Sequence, residues 1–281
     1  MPYVELDGAR VYYETHGAGA PLVLIPGFGA GAWIWFKQVP ALERACRVIL
    51  FDPRGVGRSV ARDEPFSTKL LADDVAALLD HLGIERADVA GASFGGFVAL
   101  EFALEHPDRL KKLILCCTSA GGAMHVAPDA EVLVRLASTQ GLNTEERMRE
   151  NLLLAFSPEY VARERDEVER VIALRAACPV PEFVYRRQLQ AALAFDAGAR
   201  LGAISSPTLV ITGDADRIVP AENSRRLAAA IPRSRLQVIA GGSHSFFIEQ
   251  AEEFNRAVLD FLFEDQRDCD EDVRRQGAKG E

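Results

Sequence analysis

The sequence predicts an α/β domain with a mostly parallel sheet of about eight strands, helices on both faces and a helical cap inserted into the alternation. Three observations predict it. PLVLIP, CRVILF, ADVAGA, LKKLILCC, SPTLVITG and RLQVIAG are short apolar runs, most of them rich in Val, Ile and Leu, as expected of strands covered on both faces. Helical patterns separate most of them, the alternation that places helices on both sides of a sheet. Between about Gly121 and Arg200 the alternation stops, and only charged helical patterns remain.

In chain order, YVEL and VYYETH alternate in polarity around Asp7-Gly8, the signature of a half-exposed hairpin. STKLLADDVAALLDHLG reads as a helix, with Ser67 or Thr68 available as cap and Gly83 ending the run. NTEERMRENLLLAF and VARERDEVERVIALRAA are helical patterns with no convincing strand between them. The expected organisation is therefore a core of residues 1–120 and 201–263, a cap of residues 121–200 over the carboxyl ends of the strands, and a charged, frayed tail, 264–281.

Composition narrows the function. With 281 residues and 48% hydrophobic content the chain can bury a sizeable core. A formal net charge of −9 and the lack of a basic stripe exclude nucleic acid or an anionic membrane as the expected partner. No signal peptide is expected at the N-terminus and no run reaches membrane-spanning length, so a cytoplasmic protein is expected. Its five cysteines are scattered, with Cys116 and Cys117 adjacent at the end of an apolar run; buried free thiols are expected, and no metal site.

Gly91-Ala92-Ser93-Phe94-Gly95 fits G-x-S-x-G between an apolar strand and a helical run. A serine on so sharp a turn is held above the sheet, and the flanking glycines remove Cβ groups that would collide there. The five-residue pattern alone is as readily a tight turn, so a base and an acid are required beside it. Of the five histidines, His16, His81, His106 and His125 lie in or beside other elements. His244 follows RLQVIAGGS at a strand end and is the candidate base. Asp214 and Asp216 both follow PTLVITG; Asp216 is preferred, with a turn or capping role open to Asp214.

With these residues in place, the chain resembles the α/β-hydrolase superfamily from PLVLIPGFGAG through FDPRGVGRS, GASFGG and GDADRIVP to GGSHSFF, in the family's chain order of nucleophile, acid and base. The segment from Asp74 to Ala120 is similar to the group of 3-oxoadipate enol-lactonases, small carboxylesterases and cofactor-free perhydrolases. The resemblance implies an α/β-hydrolase fold. It also implies an oxyanion hole of the Phe28 and Phe94 peptide N–H groups, in which losing one donor costs about 3 kcal/mol. Pro26 stands where relatives commonly have His, which implies a stiffer loop, and Ala251 stands where they often have Pro. Phe28, Trp33, Phe94, Phe246 and Phe247 flank these positions and are expected to contribute an apolar pocket, each with core packing as the competing role. Trp35 and Phe36 are expected to pack, and Arg54 to hold a turn.

One motif competes. Gly27-Phe28-Gly29-Ala30-Gly31-Ala32 satisfies G-x-G-x-x-A, and Asp52 follows at close to the ~20 residues expected of a ribose-binding carboxylate. A dinucleotide-binding reading leaves Ser93, Asp216 and His244 unexplained. The preferred expectation is a serine hydrolase without cofactor, acting on a small, largely apolar ester or lactone. Enol-lactone hydrolysis, perhydrolysis and C–C cleavage are alternatives on the same residues, as is a non-catalytic ligand receptor on this fold. The physiological substrate and the oligomeric state are not readable from the sequence.

Overall fold

Strands β1 (Tyr3–Leu6) and β2 (Ala9–His16) pair antiparallel with Leu6 opposite Ala9, and Gly8 turns between them at φ +70°. That is the positive φ a two-residue hairpin demands and glycine supplies without strain. The remaining strands are β3 (Ala20–Ile25), β4 (Cys46–Phe51), β5 (Val60–Ala61), β6 (Ala87–Ala92), β7 (Leu110–Cys116), β8 (Thr208–Gly213) and β9 (Ser234–Ile239). In this computed structural model, which describes residues 2–137 and 144–277, they form one nine-stranded sheet in the order β1-β2-β4-β3-β6-β7-β8-β9, with β5 on β2. From β4 to β9 every pairing is parallel. The strand beyond the expected eight is β5, two residues long and too short to leave a periodic signal.

Period-2 alternation distributes the strand residues between two cores. Val23, Ile25, Val89, Leu113 and Val210 face one layer, and Leu22, Leu24, Ala90, Ile114 and Leu209 face the other. Helices cover both: α1 (Val39–Leu42) follows β3, α2 (Thr68–His81) follows β5, and α3 (Phe94–Glu105) follows β6. Five then run in succession, α4 (Ala130–Ala137), α5 (Thr144–Ala155), α6 (Pro158–Arg163), α7 (Arg165–Ala176) and α8 (Glu182–Ala194). α9 (Glu222–Ala230) joins β8 to β9, and α10 (Phe246–Glu249) and α11 (Ala251–Gly277) close the chain. Residues of α2, α3 and α9 fill the first core, and those of α1 and α11 the second. Ser67 caps α2, its Oγ accepting the Leu70 N–H at 3.2 Å.

Two expectations change in detail. β9 is an edge strand, so Leu236 and Val238 stay 36% and 38% exposed rather than covered on both faces. Between β7 and β8 the chain forms α4 to α8, and an isolated antiparallel bridge pairs Gly121 with Asp196. The tail is helical as far as Gly277, beyond a break at Phe263; no Pro or Gly interrupts the sequence between that break and Gly277. Among the described residues no helix is long and apolar enough to cross a membrane.

Candidate active site

Ser93 is the joint between β6 and α3, with φ 53° and ψ −120°. For a residue with a Cβ this conformation costs on the order of 1–3 kcal/mol and persists only where the surroundings enforce it. They do so here. The Ser93 N–H donates to the Cys116 carbonyl at 2.8 Å, and its own carbonyl accepts from Gly96 N–H and Thr118 Oγ1, each at 2.8 Å. Glycine is needed beside it for closeness: a methyl group on Gly95 would overlap the carbonyl oxygens of Ile25 and Pro26. The loop after β3 thereby comes against the elbow, and a Cβ on Gly27 would lie 3.5 Å from Ser93 Cβ. Neither the Phe28 nor the Phe94 peptide N–H has an acceptor among the described residues.

The loops after β8 and β9 bring Asp216 and His244 together. His244 Nδ1 and Asp216 Oδ2 are 2.8 Å apart, while Asp216 Oδ1 accepts the Ile218 and Val219 N–H groups, both at 2.8 Å. Asp214 does something else: its Oδ1 accepts the Gly241 N–H at 2.6 Å and pins the β9 turn. Ser243 Oγ and the Ser245 N–H both donate to the Ala155 carbonyl, so the His244 loop is tied to the end of α5. The other histidines are engaged elsewhere, His16 with Glu14, His81 with Tyr13, His106 with Asp73 and His125 with Ser119.

Burial, the largest influence on His244, pushes its imidazolium down, but the charge of Asp216 and the hydrogen bond to it lead the influences that outweigh burial and hold the pKa at about 9. Cys117 was legible only as a buried thiol. It sits at φ 42° after β7, with its sulfur and the ligating atoms of Asp216 and His244 all within 4.8 Å of one another. Burial raises the thiol well above its ordinary value, so it is protonated at neutral pH and Asp216 is the charge that acts there. This trio is also the one His/Cys/Asp/Glu cluster among the described residues with metal-ligand spacing. Its chemistry fits hydrogen bonding better than a cation: the Asp216 oxygens already serve two peptide N–H groups and His244, and the thiol keeps its proton.

Aromatic rings line up beside the elbow. Phe28 meets Phe94 edge-on at 5.9 Å and Tyr185 of α8 at 4.7 Å; Phe94 meets Phe97 at 6.0 Å, and Phe97 stacks on Phe195 at 4.4 Å. Trp33, Phe246 and Phe247 do not join this wall. Trp33 borders a surface groove with His16, Phe36 and Arg58, while Phe246 and Phe247 pack with Trp35 and Phe254 in the second core. The helix after His244 turns those two rings toward the sheet. Tyr185 and Phe195 escaped sequence reasoning because their approach to this wall depends on how the segment between β7 and β8 folds back, whereas Phe97, three residues after Phe94 on α3, was within reach of helical spacing.

The dinucleotide motif also finds another use. Asp52 is fully buried and accepts from the Ala32 N–H at 2.8 Å and from Arg58 Nε at 2.7 Å, so it closes its own loop. The segment after the glycines is a short 3₁₀ turn, Ala32–Trp35, not the helix a pyrophosphate needs.

Comparison with known proteins agrees with this fold. The profile of the alpha/beta hydrolase family matches residues 22–257. A provisionally named carbamate hydrolase, RutD of Azorhizobium caulinodans, is 35% identical over 94% of this chain and 99% of its own. Among solved structures, the enol-lactonase of Burkholderia xenovorans superposes with a TM-score of 0.83 at 29% identity, covering 93% of this chain and 99% of that one. A thermophilic esterase of Thermogutta terrifontis gives 0.78 at 31% identity, covering 91% and 94%.

Proposed function

The chain belongs to the alpha/beta hydrolase family, and on that premise we propose that it is a serine hydrolase cleaving a carboxylic ester or lactone of a small, largely apolar substrate through an acyl-enzyme. The observation that carries this reading is the 2.8 Å pair of His244 and Asp216, formed at strand ends in the same sheet whose β6 presents Ser93 on its strained turn. His244 Nε2 takes the Ser93 proton as Oγ attacks the carbonyl carbon. The carbonyl oxygen becomes an alkoxide, held by the Phe28 and Phe94 N–H groups, whose lack of internal acceptors suits that task. Collapse expels the alcohol, which receives the proton from His244. Water, deprotonated by the same imidazole, then releases the acid from Ser93, and Asp216 balances the imidazolium in both halves.

Similarity to an enol-lactonase and an esterase supports an ester or lactone as the cleaved group. A second reading, hydrolysis of a carbamate, is favoured by the name of the RutD relative and uses the same residues. A panel of p-nitrophenyl esters, simple lactones and an N-substituted carbamate ester separates the two. With the best substrate, Ser93→Ala is expected to lower turnover by ~10⁴ or more. An unchanged rate removes Ser93 from the mechanism.

A further inference from the structure

Arg175, in the last turn of α7, is half-buried, and among the described residues no carboxylate comes within ion-pairing distance of it. Arg54, Arg58 and Arg200, by contrast, each grip a buried carboxylate, Asp74, Asp52 and Glu101. Nη1 of Arg175 donates to the Cys178 carbonyl at 2.9 Å, and Nε and Nη2 have no acceptor among the described residues. Burial without an acidic partner pushes this guanidinium down from its ordinary value, the mark of a cation lacking a counter-ion.

Its guanidinium lies against Gly29, where an added Cβ would be 3.1 Å from Arg175 Nη2. The three-residue loop Gly27-Phe28-Gly29 thus touches Ser93 at one end and Arg175 at the other, with the oxyanion donor Phe28 between them. A second group converges from α8. Gln188, 1% exposed, accepts the Gly29 N–H on Oε1 at 2.7 Å, and because a peptide N–H requires the amide oxygen, Nε2 is left as a donor without an acceptor among the described residues. Tyr185, one turn earlier on the same face, packs its ring on Phe28. A planar cation and a carboxamide with unused N–H groups therefore both border Gly29, on the loop that would hold the oxyanion and whose Phe28 ring packs on Tyr185.

We infer that Arg175, with Gln188 beside it, receives the carboxylate of an acidic substrate, an ester or lactone that ends in a free carboxyl group while its scissile carbonyl sits at Ser93. The fork of N–H donors matches a carboxylate in plane, the pairing for which arginine is suited and lysine is not. The inference rests on the reading of Ser93 as nucleophile and adds the substrate class.

The test uses the full-length Ser93→Ala protein, which holds esters without cleaving them. It is titrated calorimetrically with the monomethyl esters of succinic to suberic acid and with the matching dimethyl diesters. The best half-acid is expected to bind about tenfold or more tightly than its diester, as a charged hydrogen-bonded pair provides. Adding Arg175→Gln is expected to bring the two affinities together, while Arg175→Lys, which keeps the charge but not the fork, retains part of the difference and guards against a loss through misfolding. Equal affinities with Arg175 in place, no binding of any half-acid, or a preference that survives Arg175→Gln each overturn the proposal. Turnover by the Ser93→Ala protein would instead sink the reading of Ser93, and the monoamides of the same diacids against their diamides then carry the Arg175 comparison.

Discussion

His244 Nδ1 lies 2.8 Å from Asp216 Oδ2, joining side chains 28 residues apart, and the Asp216 side chain is wholly shielded from water. In that setting the carboxylate acts on the imidazole at short range and with little screening. It outweighs the burial that alone would drive the imidazolium toward neutrality, and His244 is held at about 9. A base near ~7 is what catalysis at neutral pH ordinarily uses, and it is what the sequence pattern leads one to expect. The shielded partner moves it upward.

The sign follows directly. The neutral base accumulates only as pH rises, so kcat/KM is expected to climb between pH 6 and 9 with an apparent pKa above 7. Asp216→Asn removes the charge that raises it, shifting the limb to lower pH and cutting the plateau by ~10⁴. A limb that stays in place in Asp216→Asn breaks the assignment. Stability carries the same signature: a folded pKa raised from 6.5 to about 9 contributes stability that is whole below pH 6.5 and lost as pH rises through 9. Urea unfolding should therefore show a larger penalty for Asp216→Asn at pH 6 than at pH 9.5.

The readable parts of this site share one property. Ser93, Asp216 and His244 each follow an apolar run at the carboxyl end of a parallel strand, and such strand-loop-helix passages leave local patterns in the chain. Even the choice between Asp214 and Asp216 had a local basis, although only the fold shows Asp214 reaching Gly241 and Asp216 reaching His244. What could not be read depends on distant segments meeting. Cys117 touches the pair because β7 lies beside β8, and Gln188 reaches Gly29 across 159 residues. Phe246 and Phe247 illustrate the reverse error: proximity to His244 in sequence suggested a pocket, while the turn of α10 sends both rings into the core. Periodicity reports which face is apolar, not which apolar neighbour it meets.

Gly95 tests whether the elbow works by close approach. In Gly95→Ala the new methyl meets the carbonyl oxygens of Ile25 and Pro26, so α3 and the Gly27–Gly29 loop must separate. Displacement of a nucleophile relative to its oxyanion donors by about 1 Å costs about 10²-fold, and kcat/KM is expected to fall by at least that much. Labelling of Ser93 by a fluorophosphonate should slow in proportion. Activity within twofold of the parent protein would show that the contact can relax freely.

Arg54 and Asp74 offer a test of the fold beneath the site. Arg54 Nε and Nη2 grip both Asp74 oxygens at 2.7 and 2.5 Å, with side chains only 6% and 9% exposed. Burial, the largest influence on Asp74, pushes its carboxyl up, and Arg54 only partly counters it, so the ion is held there at a cost. The pair clamps the turn after β4 to α2, beneath a wall that includes Pro26 and Phe94. Arg54→Met strands Asp74 and is expected to cost about 3–5 kcal/mol at pH 7. Because the stranded carboxyl is most costly when ionised, the deficit should shrink as pH falls toward 4. Arg54→Met with Asp74→Leu should recover most of the loss, since neither desolvated charge remains. Urea denaturation of the parent, both single variants and the double variant measures the coupling; additive losses would show that the two residues act independently, and that the clamp is not what holds this turn.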